Sequence, residues 1–380
     1  RKKLPTIVVS STQYPGYGGA ATNAYAIIKH LRKNGYNTAG VFFNNSEDVN
    51  YDPDNIGGIF LYKYRDEYFV PNSDSVSSDV KKYLRQFLMD ERVIDEPLWL
   101  RTLLVKGIIL NTRPKKSAKA YKKIWWDEGS PLIVLSERLL KKVDTMTSVP
   151  ISLAMRYGNP STETKLKELL GKGCSKIIFL PLYPHYAGAT SATANDSLFR
   201  SLMKITWQPS VRTIEPYFQH PSYINVLAES VNSAYRQLNE NPDVLVTSYH
   251  GVPKRYLMQG DPYHCQCQKT TRLLKEKLGW SDDKIITTFQ SKFGPEEWLQ
   301  PYTVRKVAEL AQNGVKNIAV IAPAFASDCI ETLEEIKEEI RESFENSGGE
   351  KFTYIPCLNA SESHIEFLKD LIIENGSGWL

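Results

Sequence analysis

Short apolar runs alternate along this chain with longer stretches in which apolar positions return at helical spacing. That alternation predicts buried strands joined by amphipathic helices, an α/β fold with parallel sheets flanked by helices. One unit of the pattern occurs twice. Residues 166–173 read as a helix stopped by glycine, followed by the strand Ile177-Ile178-Phe179-Leu180 and then Pro181. Residues 307–314 lead in the same way to Ile318-Ala319-Val320-Ile321 and Pro323. A glycine at a helix end supplies the left-handed residue that closes it. The echo predicts two related halves, and ligands of such folds gather where the strands end. Three segments emerge there: Tyr183-Pro184-His185-Tyr186, residues 248–253 and residues 324–331.

The opening of the chain follows its own version of the pattern. Thr6-Ile7-Val8-Val9-Ser10 predicts a strand, Tyr14-Pro15-Gly16-Tyr17-Gly18-Gly19 a flexible loop, residues 20–33 a helix, and Val41-Phe42-Phe43 a second strand. A glycine-rich turn at a helix start suits phosphate or a sugar donor, although a lone loop of this kind is a weak signal. From Leu98 to Leu110 the chain is mostly apolar, broken by Arg101, Lys106 and Gly107 and followed by Arg113, Lys115 and Lys116. Such a segment packs as plain core, or stands as an exposed lip that meets a flat apolar ligand or a bilayer surface.

Length and charge narrow the field. The 380 residues hold two or three domains, and a net charge of +4 without a polybasic tract argues against nucleic acid. No uninterrupted apolar stretch reaches the roughly 18 residues of a transmembrane helix. The chain begins at Arg1, its first residues lack the apolar core of a signal peptide, and a truncated sequence is the simpler expectation. Cys174, Cys265, Cys267, Cys329 and Cys357 are too scattered for a disulfide framework and point to a reducing, cytoplasmic setting. Cys265-Gln266-Cys267 offers two thiolates to an iron–sulfur cluster, but two ordinary reduced cysteines are the expectation.

Two segments carry chemistry. His250 lies in Ser248-Tyr249-His250-Gly251-Val252-Pro253, after the apolar run Val244-Leu245-Val246. Asp328-Cys329-Ile330-Glu331-Thr332 opens a helix that sets Glu331, Glu335 and Glu339 four residues apart on one face. A strand-end histidine opposite a carboxylate row can take protons from a ligand while a metal cation arrives. Taken alone, each pattern has a plainer explanation: a histidine satisfied by a backbone partner, and a solvated helix face. His185 and His264 keep that plainer explanation, although His185 stands at a strand end where it can lend a second metal contact.

An ordered series of motifs decides between these explanations. It runs from Val80-Lys81-Lys82-Tyr83-Leu84-Arg85-Gln86-Phe87-Leu88 and Arg92-Val93-Ile94-Asp95 through Arg113-Pro114-Lys115-Lys116-Ser117-Ala118 and Gly129-Ser130-Pro131-Leu132. Met155-Arg156-Tyr157-Gly158-Asn159-Pro160, Leu182-Tyr183-Pro184-His185-Tyr186 and Gly260-Asp261-Pro262-Tyr263 continue it. Gln290-Ser291-Lys292-Phe293-Gly294-Pro295, Trp298-Leu299 and residues 328–335 close it. From about residue 75 to the C-terminus the chain resembles the ferrochelatases, enzymes that insert ferrous iron into protoporphyrin IX in the last step of haem biosynthesis. The wording is nearest to the bacterial, Gram-negative type.

The resemblance implies two Rossmann-like, chelatase-type domains closing over a porphyrin cleft, residues 71–240 and 241–380. It implies that His250 and Glu331 act on the pyrrole protons and the metal, with Asp328, Glu335 and Glu339 as a metal path. Arg156, Tyr157, Tyr186 and Trp298 match residues lining the porphyrin, and Arg113, Lys115 and Ser130 lie where propionates are held. The substrates implied are protoporphyrin IX and Fe2+, with no further cofactor required. The lip from Leu98 to Leu110 becomes a peripheral contact with the inner membrane. The competing readings are a chelatase for another metal or for coproporphyrin, and a porphyrin- or haem-binding protein without turnover.

The match has three departures. Phe69-Val70-Pro71-Asn72-Ser73-Asp74 stands where the family has a glycine-containing first strand, with Ile59-Phe60-Leu61-Tyr62-Lys63-Tyr64 as a substitute. Ala187-Gly188-Ala189 replaces a serine-rich stretch. The C-terminus at Trp379-Leu380 lacks the cysteine-rich extension that carries a [2Fe–2S] cluster in the animal enzymes, which leaves Cys265 and Cys267 as partial ligands at most. Residues 1–70 resemble instead the start of a two-domain (GT-B-type) glycosyltransferase. The expectation is a chimeric chain, joined near residues 69–75 by assembly or recombination.

Overall fold

The computed structural model describes the strands β1 (Thr6–Ser11) and β2 (Asn37–Phe42) and residues 75–379 apart from 147 and 148, with side chains from Val80 onward. The chain divides into two compact units, residues 1–70 and 71–380. In the first, β1 and β2 pair in parallel, Thr6 opposite Asn37. The second of these strands starts earlier than Val41. The glycine-rich loop, the helix expected at 20–33, the substitute strand 59–64 and the junction 69–74 lie outside the described residues.

The second unit carries two parallel sheets among its described residues. β3 (Lys176–Phe179) pairs with β4 (Ser210–Thr213). β5 (Val244–His250), β6 (Ile285–Gln290), β7 (Asn317–Ile321) and β8 (Lys351–Ile355) form a sheet in the order β6-β5-β7-β8. Successive side chains of a strand face opposite sides of its sheet. Leu245, Ala319 and Ile321 accordingly join a core with the helices Pro221–Arg236 and Glu362–Asn375. Val244, Val246, Ile318 and Val320 join another with Val307, Ile336 and Phe344. Both faces are covered, which is why β5 and β7 read as continuous apolar runs rather than alternating ones.

The repeated helix–glycine–strand unit is present in both sheets. The helices Thr162–Gly171 and Thr303–Gln312 end at Gly173 (φ 82°) and Gly314 (φ 92°). In each case the next amide reaches back five residues, Cys174 to Leu169 and Val315 to Leu310, both at 3.1 and 3.0 Å respectively. That closure needs a left-handed residue, so glycine is the physical stop.

Two helices differ from expectation in their winding. The carboxylate helix begins only at Ile330, and Glu331–Ile340 is π-helical. The apolar segment from Leu98 divides into the helix Leu98–Thr102, the π-helical Leu103–Ile109 and the helix Leu110–Ile124. Its residues split by face. Arg101, Val105, Ile109 and Leu110 turn inward, while Leu98, Trp99, Leu103 and Ile108 are each more than half exposed, at 64, 68, 59 and 56%. Core and lip are therefore both present in one segment.

Candidate active site

β5 delivers His250 at its last residue, in register with Gln290 on β6. The next residue, Gly251, must be small: a Cβ there would lie 2.8 Å from the Gln290 carbonyl oxygen and 3.1 Å from Trp298 Cε3. Trp298 is brought alongside by an antiparallel bridge to Pro253 and by the Leu299 amide, which donates to Val252 O at 3.0 Å. Its ring centroid stands 6.3 Å from that of His250. His250 Nδ1 is 2.7 Å from the Gly251 carbonyl. A carbonyl only accepts, so Nδ1 carries the proton and Nε2 of the neutral ring carries the lone pair. The backbone partner and the basic nitrogen coexist.

Across from β5, Gln290 reaches the carboxylate helix. Its Oε1 accepts from Ser248 Oγ at 2.7 Å, and its Nε2 donates to Glu331 O at 2.8 Å and to Glu335 Oε2 at 3.1 Å. Ser291, held at φ 65°, adds its amide (2.7 Å) and its hydroxyl (2.5 Å) to the Glu335 carboxylate. Burial pushes the Glu335 carboxyl up, against the pull of the Ser291 hydrogen bond, the charge of His250 and the Gln290 amide. π-Helical hydrogen bonding widens each turn, and residues four apart still share a face. The other carboxylates of this helix have different company. Glu334 and Glu338 both receive Lys123 Nζ, at 3.2 and 2.8 Å, and burial together with Glu334 and Glu335 raises the Glu339 carboxyl.

Asp328 is not part of that row. It precedes the helix and is buried, and its Oδ1 accepts from Thr332 Oγ1, the Tyr354 hydroxyl and the Cys357 amide. Its Oδ2 accepts from Asn359 Nδ2 at 2.7 Å. Both oxygens are occupied in anchoring the helix start, and no hydrogen bond joins Asp328 to Glu335 or Glu339.

Arg156 and Tyr157 meet on Asp90, a residue the motifs did not single out. Its Oδ2 pairs with Arg156 Nη2, and accepts from the Tyr157 hydroxyl at 2.9 Å and from Thr193 Oγ1 at 2.6 Å. Burial works against the Asp90 charge, yet the Thr193 bond, the Arg92 amide, the Tyr157 bond and the Arg156 charge hold its carboxyl below the usual range. The Tyr157 ring meets Phe87 edge-on at 5.2 Å and Tyr83 at 6.4 Å. Burial raises the hydroxyls of Tyr83, Tyr121 and Tyr183, and the Glu331 carboxylate adds to the rise in each.

The remaining candidates are dispersed. Arg113 lies 4.3 Å over the Phe293 ring, Lys115 is exposed, and Ser130 precedes the helix Pro131–Asp144 without a side-chain cap bond. No hydrogen bond joins these three. The Tyr186 amide donates to Gln266 Oε1 at 2.7 Å, with its side chain half-buried. His185 is 1% exposed, bonded to Thr270 Oγ1 at 2.8 Å, and burial pulls it down to about 3. It sits in the core, bonded to Thr270, as the plainer explanation expects. Cys265 and Cys267 share the helix Tyr263–Leu278, and residues two apart point away from each other. Cys265 is exposed and Cys267 fully buried, so they cannot hold one cluster together. Among the described residues no three His, Cys, Asp or Glu side chains gather into a ready metal site.

A doubly covered parallel α/β body, with a strand-end histidine whose neighbouring strand is tied through Gln290 to a carboxylate helix, is an arrangement suited to metal insertion. A family model described as Ferrochelatase matches residues 71–376. The ferrochelatase of Rhodobacter capsulatus is 55% identical over 79% of this chain and 88% of its own length. That of Rhizobium meliloti (strain 1021) is 47% identical over 82% of this chain and 93% of its own. A fainter structural likeness, with a TM-score of 0.48 and 13% identity, links 64% of the chain to 90% of SirB from Bacillus subtilis, solved with Fe3+. The chain belongs to the ferrochelatase family.

Proposed function

We propose that this enzyme inserts Fe2+ into protoporphyrin IX in a cleft closed by residues 71–240 and 241–380, with His250 and Glu331 as the reacting side chains. The reaction breaks two pyrrole N–H bonds and forms four iron–nitrogen bonds, with no change of oxidation state. His250 Nε2 accepts a pyrrole proton. Glu331, on the helix tied to the same strands, attracts the dication and takes the second proton as the metal seats. A base with a near-neutral reference pKa and a carboxylate suit these two steps. A passing ion needs few protein donors, because the porphyrin nitrogens complete its coordination.

Glu335 and Glu339 continue the negative field along the helix face as the metal path. Arg113 and Lys115 meet the propionates, with Ser130 as a hydrogen-bonding partner. Arg156, Tyr157, Tyr186 and Trp298 line the macrocycle, and a tight wall that bends it exposes its nitrogens. Leu98, Trp99, Leu103 and Ile108 rest on the cytoplasmic surface of the inner membrane, where an apolar porphyrin dissolves. No described helix is long and apolar enough to cross a membrane. The observation that carries the reading is the Gln290 bridge, which fixes the histidine strand and the carboxylate helix to each other.

Anaerobic insertion assays on protoporphyrin and coproporphyrin test it, with Fe2+, Co2+ and Zn2+ in competition. Haem formation from Fe2+ and protoporphyrin is expected. Cobalt outpacing iron on every porphyrin would overturn the ferrous assignment, and porphyrin binding without insertion would make the protein a carrier.

A further inference from the structure

Asp90 stands where three elements meet: just past the helix Ser75–Leu88, against the loop bearing Arg156 and Tyr157, and at the first turn of the helix Thr193–Leu202. The groups hydrogen-bonded to its carboxylate all donate to it. Arg156, Tyr157 and Thr193 converge on Oδ2, and the Arg92 amide donates to Oδ1 at 2.9 Å. Arg156 is fixed a second time, by its Nε bond to Thr193 Oγ1 at 2.7 Å, and its guanidinium lies 4.4 Å over the Tyr157 ring. The side chains of the ion pair are 16% and 4% exposed, so solvent does little to screen Arg156. On the reading of the site given above, Arg156 stands in the wall that lines the macrocycle into which the metal passes, and its guanidinium is held there by Asp90 and Thr193. Without a counter-charge, Arg156 would direct a positive field at an arriving dication.

We propose that Asp90 is a positioning residue of the metal-insertion site: it holds Arg156 and Tyr157 in place and cancels the charge of Arg156, so that their wall repels neither metal nor macrocycle. The inference rests on the reading of the site as a metal-insertion cleft. A cavity of about 350 Å³ opens beside the buried pair, with Asp90, Glu91, Arg101, Arg156 and Arg200 in its lining. A small carboxylate can enter that cavity and take the place of a missing Asp90 side chain.

Asp90→Asn keeps the shape and an acceptor oxygen and removes the charge. In Zn2+ insertion assays on the full chain, its KM for metal is expected to rise on the order of tenfold, the effect of one uncompensated charge on a dication at close range. Porphyrin affinity, read by fluorescence, should change less than about twofold on the same ground, because the macrocycle is neutral at its centre. Adding Arg156→Met to Asp90→Asn should bring the metal KM back towards wild type. Formate should lower the metal KM of Asp90→Ala and leave wild type unchanged. A metal KM in Asp90→Asn equal to wild type, a double variant no better than the single one, or an Asp90→Ala indifferent to formate would overturn the proposal. A wild-type chain that binds porphyrin and inserts no metal overturns the reading of the cleft and this inference together, whereas an active wild type with an indifferent Asp90→Asn overturns this inference alone.

Discussion

The side-chain amide of Gln290 donates to the backbone carbonyl of Glu331 at 2.8 Å, joining the strand beside His250 to the first carboxylate of the π-helix. Gln290→Leu removes this bond, the bond to Glu335 and one of the two partners of the Ser248 hydroxyl. The expected loss of stability is about 1–3 kcal/mol, the cost of buried groups left unpaired. Insertion should slow by about tenfold or more, because the two walls lose their fixed spacing. Urea unfolding and zinc-insertion rates measure the two effects separately.

Gly251→Ala tests the close approach on the other side of His250. The added methyl lies 2.8 Å from Gln290 O, where something must shift, and presses on Trp298 Cε3 at 3.1 Å. Overpacking of this kind costs about 1–3 kcal/mol, and the displaced indole should shift the tryptophan emission. Unchanged fluorescence and insertion rates would show that the site gives way freely at this point.

Acid should weaken the fold through His185. Its folded value is about 3, while an exposed histidine titrates near about 6.5. The unfolded chain therefore gains a proton in a window where the native state refuses it. The stabilisation is present above that upper value and is lost as pH falls towards the lower one, by about 1.4 kcal/mol per pH unit. His364, lowered by burial, acts in the same direction. Urea unfolding across pH 7 to 5, taken as rough bounds of the upper window, should show a steeper loss for wild type than for His185→Gln. Parallel slopes would remove His185 from the acid response.

The two close cysteines should behave independently. Cys265→Ser, on the surface, is expected to change stability by less than about 0.5 kcal/mol. Cys267→Ser buries a hydroxyl and should cost about 1–3 kcal/mol. Neither should alter the iron content of the purified protein, and loss of bound iron from both variants would reinstate a shared cluster.

The lip offers a test of membrane contact. Trp99→Glu with Leu103→Glu places two charges on its exposed face, and co-sedimentation with anionic vesicles should fall by about tenfold, given the cost of submerging each charge. Equal sedimentation would assign the contact elsewhere.

The alternation of apolar runs and the two glycine stops made the parallel α/β body legible, because burial on both faces and left-handed closure are written in single residues such as Gly173 and Gly314. The part of His250 and Glu331 in the reaction is the proposal made above, but their positions, at a strand end and at the start of a helix, were legible in their motifs. The winding of the carboxylate helix was not, since a spacing of four residues fits an α-turn and a π-turn alike. The anchoring of Asp328 was not legible for a related reason: its partners Tyr354, Cys357 and Asn359 come from β8 and the loop after it and leave no local pattern. Asp90 was invisible because a carboxylate in Met89-Asp90-Glu91-Arg92 looks like surface charge until Arg156 and Thr193 fold onto it. Gln290 and Ser291 stood inside a quoted motif, but their role depends on a helix that arrives forty residues later.

The most direct test of the central claim is a parallel measurement of porphyrin binding and metal insertion in His250→Ala and Glu331→Gln. Both variants are expected to bind protoporphyrin within about threefold of wild type while Fe2+ or Zn2+ insertion falls by about a hundredfold or more, as for loss of a general base. Either variant turning over at near the wild-type rate would contradict the assignment of that side chain to the reaction.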